Sequence, residues 1–173
     1  KLSKFENSIE KILITINISE NIRSISNLKS SKINFIFNDY PKGFGENHNK
    51  AFKLCKSKYF CVMNPDIRIE KNIFKKLIQI KEKNNINIFT PNIKKNNKCY
   101  AINCRKFPSK FYIFKRHLMM PNYEYTKKIG HNIKYTDWIG GMFMLFNSID
   151  YQKLKGFNED YFLYFEDVDI CYR

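Results

Sequence analysis

Short apolar segments alternate along the chain with longer segments in which apolar residues recur at helical spacing. The short segments are rich in β-branched and aromatic residues and predict strands at residues 11–16, 33–37, 59–63, 86–90 and 142–146. The longer segments predict helices at residues 46–57, 71–83, 148–156 and 166–173. This order predicts a single α/β domain over residues 1–173 with a mostly parallel central sheet. Residues 94–135 lack a regular pattern and are expected to leave the sheet.

A lone carboxylate, Asp66, follows the most apolar of the predicted strands. Residues 59–63 form a continuous apolar run, which is typical of a strand buried on both faces, and the turn Asn64-Pro65-Asp66 comes next. Ligands bind at the carboxyl ends of strands in open α/β sheets. Asp66 is therefore a candidate ligand for a divalent cation whose other oxygens come from a phosphate-bearing substrate. A simple turn, in which Asn and Asp cap their own backbone, explains the same residues.

A glycine turn, Gly43-Phe44-Gly45, opens the first predicted helix. Such a turn can bring backbone N–H groups close to a phosphate. Its spacing matches neither GxGxxG nor GxxxxGK[ST], so dinucleotide and P-loop sites are poorly supported. A turn with a helix cap is the alternative.

The only tryptophan, Trp138, lies between Asp137 and the pair Gly140-Gly141. A flat ring beside two glycines is suited to the floor of a sugar or base pocket, since the ring stacks and the glycines allow close approach. The alternative is a core tryptophan with a bulge at the start of the next strand.

Three carboxylates, Glu166, Asp167 and Asp169, follow the aromatic segment 161–165. Carboxylates this close repel one another, which costs stability unless a cation or a chemical role offsets it. A carboxylate beside aromatic rings is a candidate general base, because desolvation raises its pKa toward neutrality. The alternative is that these acids only complement the dipole at a helix N-terminus.

The charge balance narrows the class of partner. The chain of 173 residues has 31 Lys+Arg against 16 Asp+Glu, a net charge of +15, but only 5 of the basic residues are Arg. The lysines are scattered, whereas nucleic-acid sites cluster Arg among exposed aromatics, so the pattern disfavours nucleic acid. An anionic membrane surface or a phosphate-bearing ligand fits better. No apolar run reaches the roughly 20 residues that span a bilayer.

Cysteine and histidine usage points to no metal or disulfide framework. The five cysteines form no CxxC, and Cys99 and Cys104 have no second pair to complete a zinc site. Cys61 and Cys171 lie in apolar surroundings where thiols act as small hydrophobes. Reduced cysteines in a cytosolic compartment are expected. His117 and His131 show no ligand-like spacing.

Taken together, the order and spacing of these motifs resemble bacterial family 2 glycosyltransferases. Within them, the chain is most similar to the rhamnosyltransferase-like branch that builds O-antigen, capsule or other cell-surface polysaccharide. The resemblance rests on residues 43–51, 64–66, 137–145 and 156–173, and the last block is the most diagnostic.

The resemblance implies a GT-A fold and an inverting transfer of a sugar, with rhamnose as one candidate, from a nucleotide-diphosphate sugar to an acceptor hydroxyl. The implied acceptor is lipid-linked or a polysaccharide, and the implied location is cytoplasmic with peripheral contact to the inner face of the cell membrane. The implied cofactor is Mg²⁺ or Mn²⁺ on Asp66. The resemblance makes Asp167 the general base with Glu166 in reserve, and we expect Asp169 to act as a structural cap or salt-bridge partner.

The resemblance also assigns the binding residues. The donor-binding residues are Gly43, Phe44, Gly45, Asn49, Asn64 and Asp66. The residues on the acceptor side of the donor sugar are Asp137, Trp138, Gly140 and Gly141.

Three departures from the family pattern leave two interpretations open. Ile16 stands where members have Asp, Pro41 stands where Asn is common, and the family's first βα unit and C-terminal segment have no counterpart in residues 1–173. The chain is then either a piece of an active enzyme or a decayed copy that binds a nucleotide sugar without catalysis. The acids at 66, 166, 167 and 169 favour the first, because an idle site has no need for so much negative charge.

Overall fold

The computed structural model describes residues 8–18, 30–94, 103–107 and 133–173. Within these residues the elements, in chain order, are β1 (Ile12–Ile16), β2 (Ile33–Phe37), α1 (Phe44–Phe52), β3 (Tyr59–Met63), α2 (Phe74–Lys83), β4 (Ile88–Phe89), β5 (Cys104–Arg105), β6 (Trp138–Ile139), β7 (Phe143–Asn147), α3 (Ser148–Lys153) and α4 (Glu166–Tyr172). The mixed α/β class predicted from the sequence is confirmed. Cys99, His117 and His131 and most of residues 94–135 lie outside the described residues.

Strand pairing agrees with the sequence prediction in one sheet and differs from it in another. β1 and β2 pair in parallel, with Ile12 opposite Ile33 and Ile16 opposite Phe37. β7 lies between β3 and β4 and runs antiparallel to both, which the simple strand–helix order did not predict. β3 and β4 therefore run in the same direction, on either side of β7, without pairing with each other. β5 and β6 form a separate antiparallel pair.

The apolar core covers both faces of the β3–β7 pair. On one face Phe60, Val62, Met144 and Phe146 pack with residues of α3, α4 and the loop between them, including Tyr151, Phe157 and Ile170. On the other face Phe143 and Leu145 pack with Phe74 and Leu77 of α2. Successive strand residues point to opposite faces, so a continuous apolar run supplies both clusters. Of residues 59–63, Phe60 and Val62 on one face are buried, whereas Tyr59, Cys61 and Met63 on the other are half-buried, so the predicted two-sided burial holds only in part.

Element boundaries shift where local turns end a helix early. The first predicted helix begins two residues earlier than expected and stops at Phe52, because Leu54 and Cys55 donate their N–H groups to Ala51 and Phe52 in a closing turn. α2 begins at Phe74 rather than residue 71, and β4 has only two residues. Such differences at element ends are usual, since caps rather than periodicity decide them.

In the described residues, the β1–β2 sheet and the β3–β7–β4 sheet are not paired with each other. A cavity of about 450 Å³ lies between them, lined by residues of β1, α1, β3 and α2. The expectation of a single domain lacking a first βα unit and a C-terminal segment stays a prediction. Across the described part of the chain, no helix is long and apolar enough to cross a bilayer.

The described cysteines Cys55, Cys61, Cys104 and Cys171 are free thiols. Burial raises the pKa of Cys61 to about 12 and that of Cys171 to about 11. Both side chains pack among apolar residues of the core clusters. They behave as small hydrophobic groups, as the sequence predicts.

Candidate functional site

The segment that carries Asn64 meets the segment that follows Gly140 and Gly141 where β3 ends and β7 begins. The Asn64 N–H donates to the Met142 carbonyl at 3.0 Å, which joins the two strand ends. Asp66 follows in an exposed turn closed by the Ile67 N–H on the Asn64 carbonyl. The continuous apolar run before Asp66 suggests an interior strand, but in the described sheet β7 is central and β3 lies at its edge. β7 takes the centre because Phe143 and Phe146 are buried on opposite faces.

Asp167 is held against the double glycine. Its Oδ2 accepts the Gly141 N–H at 3.1 Å, and its Oδ1 accepts the Val168 N–H at 2.9 Å. A Cβ added at Gly141 would lie 3.0 Å from Cζ of Phe44, so the turn passes close to that ring. A side chain at position 141 would crowd the Phe44 ring, while the N–H of the same residue faces the Asp167 carboxylate. The structure thus brings together Gly141 and Asp167, which the sequence proposed for different roles.

The glycine turn that opens α1 packs against the loop preceding α4. The Phe44 N–H donates to the Phe162 carbonyl at 3.0 Å, and a Cβ at Gly43 would lie 2.8 Å from the same oxygen. A Cβ at Gly45 would lie 2.8 Å from Cβ of Phe157. These contacts explain both glycines through packing. The Phe44 N–H is already used, so this group is not available to a phosphate.

Asn49 links α1 to the loop before α4 through its whole side-chain amide. Its Oδ1 accepts from the Tyr151 hydroxyl at 2.7 Å and the Phe157 N–H at 2.9 Å. Its Nδ2 donates to the Phe157 carbonyl at 2.9 Å and to Glu159 Oε1 at 2.8 Å. We therefore assign Asn49 a structural role, because every hydrogen-bonding group of its amide has a partner within the protein.

Asn17 positions the loop that leads into α1. Its Oδ1 accepts the Lys42 N–H at 2.8 Å, and its Nδ2 donates to the Lys42 carbonyl at 3.0 Å. Asn38, at the end of β2, donates to the same Oδ1 at 3.0 Å. The carboxyl ends of β1 and β2 are thus connected to the start of the site. Ile16 precedes this network as the last residue of β1.

The aromatic segment 161–165 is exposed and strained. Phe162, Tyr164 and Phe165 are each more than 60% exposed. Tyr164 and Phe165 have φ values of 72° and 71°, a left-handed conformation that costs an L-residue about 1–2 kcal/mol. The aromatic rings therefore point to solvent and do not enclose the acids as the sequence suggested. Backbone strain of this kind clusters at functional sites.

The three acids of α4 have separate environments. Glu166 is only 5% exposed, and its Oε2 has no hydrogen-bond partner among the described residues. Burial raises the pKa of Glu166, and the neighbouring Asp167 charge raises it further. Asp169 forms a salt bridge with Arg173 at 2.7 Å, which confirms its predicted structural role. Asp167, half-buried, is the carboxylate of this group that is neither enclosed nor paired with a cation.

Asp137 and Trp138 hold the segment that contains β5. Asp137 Oδ2 accepts the Phe107 N–H at 2.8 Å, and Trp138 Nε1 donates to the Lys106 carbonyl at 3.0 Å. The Arg105 guanidinium lies 5.4 Å from the Trp138 ring centroid. Trp138 is half-buried, which argues against the core alternative, and with Asp137 it lines a cavity of about 490 Å³. These residues border the site through Gly140.

One buried residue beside the Gly140–Gly141 turn, Asn103, was not indicated by any pattern in the sequence. Asn103 is 4% exposed and accepts the Gly140 N–H at 2.8 Å through its backbone carbonyl. Asn is abundant in this chain, so neither composition nor spacing distinguishes position 103. Only the folded structure shows it.

The described residues form no cluster of three His, Cys, Asp or Glu side chains that could enclose a metal ion. Asp66 offers one exposed carboxylate at the sheet edge. That donor set fits Mg²⁺ or Mn²⁺ only as a shared ion, since magnesium is commonly bound through one or two carboxylates together with substrate phosphates. It does not fit a metal held by the protein alone.

Comparison with known proteins identifies the family of the chain. Residues 15–152 match Glycosyl transferase family 2. The chain is 28% identical over 144 residues to rhamnosyltransferase WbbL of Escherichia coli (strain K12), covering 76% of this chain and 53% of that protein. It is 28% identical over 112 residues to the low-salt glycan biosynthesis hexosyltransferase Agl10 of Haloferax volcanii, covering 65% of this chain and 35% of that protein. The chain thus spans about half or less of these relatives. The family match covers most of its length and confirms the resemblance and the GT-A fold it implies: the chain belongs to glycosyl transferase family 2.

Proposed function

We propose that the protein transfers a sugar from a nucleoside-diphosphate donor to an acceptor hydroxyl, with inversion, in the synthesis of a cell-surface polysaccharide. The observation that carries this proposal is the Asp167 carboxylate, oriented by the N–H of Gly141 just before β7. Family membership supports the reaction class. The rhamnosyltransferase among the relatives makes rhamnose the first sugar to test.

Asp167 is the better base for this reaction. Each of its oxygens accepts one backbone N–H, which leaves further lone pairs for an acceptor hydroxyl. It takes the hydroxyl proton as the acceptor oxygen bonds to the anomeric carbon. The bond from that carbon to the diphosphate oxygen breaks, and its electron pair leaves with the nucleoside diphosphate. Glu166 is only 5% exposed, so an acceptor hydroxyl has little access to its carboxylate, and it is less suited to accept this proton.

The donor side of the site rests on Asn64 and Asp66. Both follow β3 at the edge where ligands of α/β sheets bind. A Mg²⁺ or Mn²⁺ ion shared between Asp66 and the donor would neutralise charge on the leaving diphosphate. Gly43, Phe44 and Gly45 contribute by packing, because they hold the 157–162 loop beside the site.

The acceptor is proposed to be a lipid-linked or polysaccharide hydroxyl. The cavity beside Asp137 and Trp138 has room for a sugar, and Gly140 connects it to Asp167. The exposed aromatic segment 161–165 precedes the base directly. Together with the net charge of +15, this segment supports peripheral contact with an anionic membrane from the cytoplasmic side.

A comparison of three variants tests the assignment in the full-length protein. Asp167→Asn should lower turnover by about 10²–10⁴, the usual cost of losing a general base, with little change in donor affinity. Glu166→Gln should retain more activity, whereas Asp66→Ala should abolish the metal-dependent part of donor binding in calorimetry. Release of nucleoside diphosphate from a panel of nucleotide sugars measures turnover. Near-normal turnover of Asp167→Asn would contradict the assignment, as would unchanged donor binding by Asp66→Ala with and without Mn²⁺.

A non-catalytic nucleotide-sugar-binding domain is the second candidate. It is favoured by the lone Asp66 carboxylate and by Ile16, which replaces the family's usual Asp at the end of β1. The same assays separate the two functions. Donor binding by calorimetry without turnover of any sugar in the panel would favour the binding domain.

A further inference from the structure

Asn103 anchors the end of β4 to the segment that leads into β5. Its side-chain amide donates to Thr90 Oγ1 at 3.0 Å and to the Pro91 carbonyl at 3.0 Å. Both hydrogens of the amide are therefore used on consecutive residues. Since Asn103 is almost fully buried, these hydrogen bonds are not exchanged with water and they fix its position.

The backbone of Asn103 contacts the Gly140–Gly141 turn. Its carbonyl accepts the Gly140 N–H at 2.8 Å, and the next residue, Cys104, pairs with Ile139. A Cβ at Gly140 would lie 4.0 Å from Cα of Asn103 and 3.8 Å from Asp167 Oδ2. Gly140 thus lies between Asn103 and the candidate base.

The chain of contacts ends at the carboxylate. Gly141 follows Gly140 directly and donates its N–H to Asp167 Oδ2 at 3.1 Å. On its other side Gly141 is limited by the Phe44 ring. A change in the Gly140 backbone therefore alters the one described hydrogen bond that orients Asp167 from outside its own helix.

We propose that Asn103 is a positioning residue for sugar transfer, acting through the Gly140–Gly141 turn on Asp167. This inference rests on the function proposed above. Catalysis is sensitive to such placement, because displacement of a catalytic group by about 1 Å can cost roughly a hundredfold in rate. Asn103 touches neither the base nor the reacting atoms, so its effect appears in turnover rather than in donor binding.

The decisive variant is Asn103→Asp, which nearly preserves side-chain volume but removes both donated hydrogen bonds. We expect kcat to fall about tenfold while KM for the donor changes less than twofold. Thr90→Val removes only one of the two acceptors and should fold more readily, with a loss of about threefold. The control is Asn84→Asp, which removes an amide bond to the Ile80 carbonyl at the end of α2 and should leave kcat unchanged.

A spectroscopic measurement separates positioning from stability. The Gly141 amide proton, bonded to a carboxylate, should resonate downfield in the NMR spectrum. It should move upfield in Asp167→Asn and in Asn103→Asp, but not in Asn84→Asp. An unchanged Gly141 signal together with unchanged kcat in Asn103→Asp and Thr90→Val overturns the inference. Absence of turnover by the wild type with every donor in the panel overturns the proposed function instead, and full turnover in Asp167→Asn overturns the assignment of Asp167 as the base.

Discussion

Replacing Asn49 with alanine tests whether this residue is structural or contacts the donor. The substitution removes four hydrogen bonds, of which the one to Glu159 lies at the surface and contributes little. The other three join the amide to the Tyr151 hydroxyl and to the N–H and carbonyl of Phe157. At about 1 kcal/mol net for each bond, the free energy of unfolding should fall by about 3 kcal/mol.

The loop that contacts Asn49 has little freedom to form new hydrogen bonds in place of those lost in Asn49→Ala. A Cβ at Gly156 would lie 2.1 Å from Asn49 Oδ1, so the loop approaches the amide closely, and Gly156 has a φ of 71°. The loop cannot easily shift to rebuild the lost bonds, because Arg173 also donates to the Gly156 carbonyl at 2.8 Å. Tyr151→Phe provides the matched control, since it removes one of these bonds and keeps the ring. It should cost about 1 kcal/mol.

Urea denaturation of the variants and the wild type measures both effects. The expected order of midpoints is wild type, then Tyr151→Phe, then Asn49→Ala, with similar m-values. Donor affinity, measured by calorimetry at a temperature where Asn49→Ala is folded, should be within a few fold of the wild type. A large loss of donor affinity with an unchanged urea midpoint would refute the reasoning and restore Asn49 to the donor site.

Two further predictions concern pH and membrane binding. Burial lowers the pKa of His48 to about 4 from its usual value near 6.5, so the folded state favours the neutral ring. The contribution of His48 to the free energy of unfolding is complete above pH 6.5 and is lost as the pH falls toward 4, by about 3 kcal/mol in all. Urea denaturation across this pH range should show this loss in the wild type but not in His48→Gln. Parallel pH dependence of the two proteins would contradict the prediction. Flotation with anionic liposomes should exceed flotation with neutral ones and weaken in high salt, since the net charge is +15. Equal binding to both kinds of liposome would count against membrane attachment.

Much of the local structure was predictable because it depends on neighbouring residues. The strands Ile33–Phe37 and Tyr59–Met63 were predicted to the residue. The order and spacing of the motifs also identified the family, because the polar residues of the site follow particular strands at fixed positions in the sequence. Periodicity and motif spacing are properties of the sequence itself, so no tertiary contact was needed to find them.

The position of β7 and the roles of several site residues could not be obtained in this way. Strand order in a sheet depends on which strand faces are buried together. Residues 143–146 are buried on both faces of β7, and this requires neighbours that only the folded protein brings together. Asn49 matched a family motif, yet its amide is used entirely by the loop before α4.

The separation of the neighbouring acids and the position of Asn103 were likewise decided by tertiary structure. The sequence places Glu166 beside Asp167, but the left-handed backbone before α4 coincides with burial of the first and contact of the second with Gly141. Asn103 lies far along the chain from Asp167 and is linked to it by two hydrogen bonds that no sequence pattern encodes: Gly140 N–H to the Asn103 carbonyl, and Gly141 N–H to the Asp167 carboxylate. The sequence determined which chemical groups the site contains, whereas long-range packing decided which of them reach solvent and which support the others.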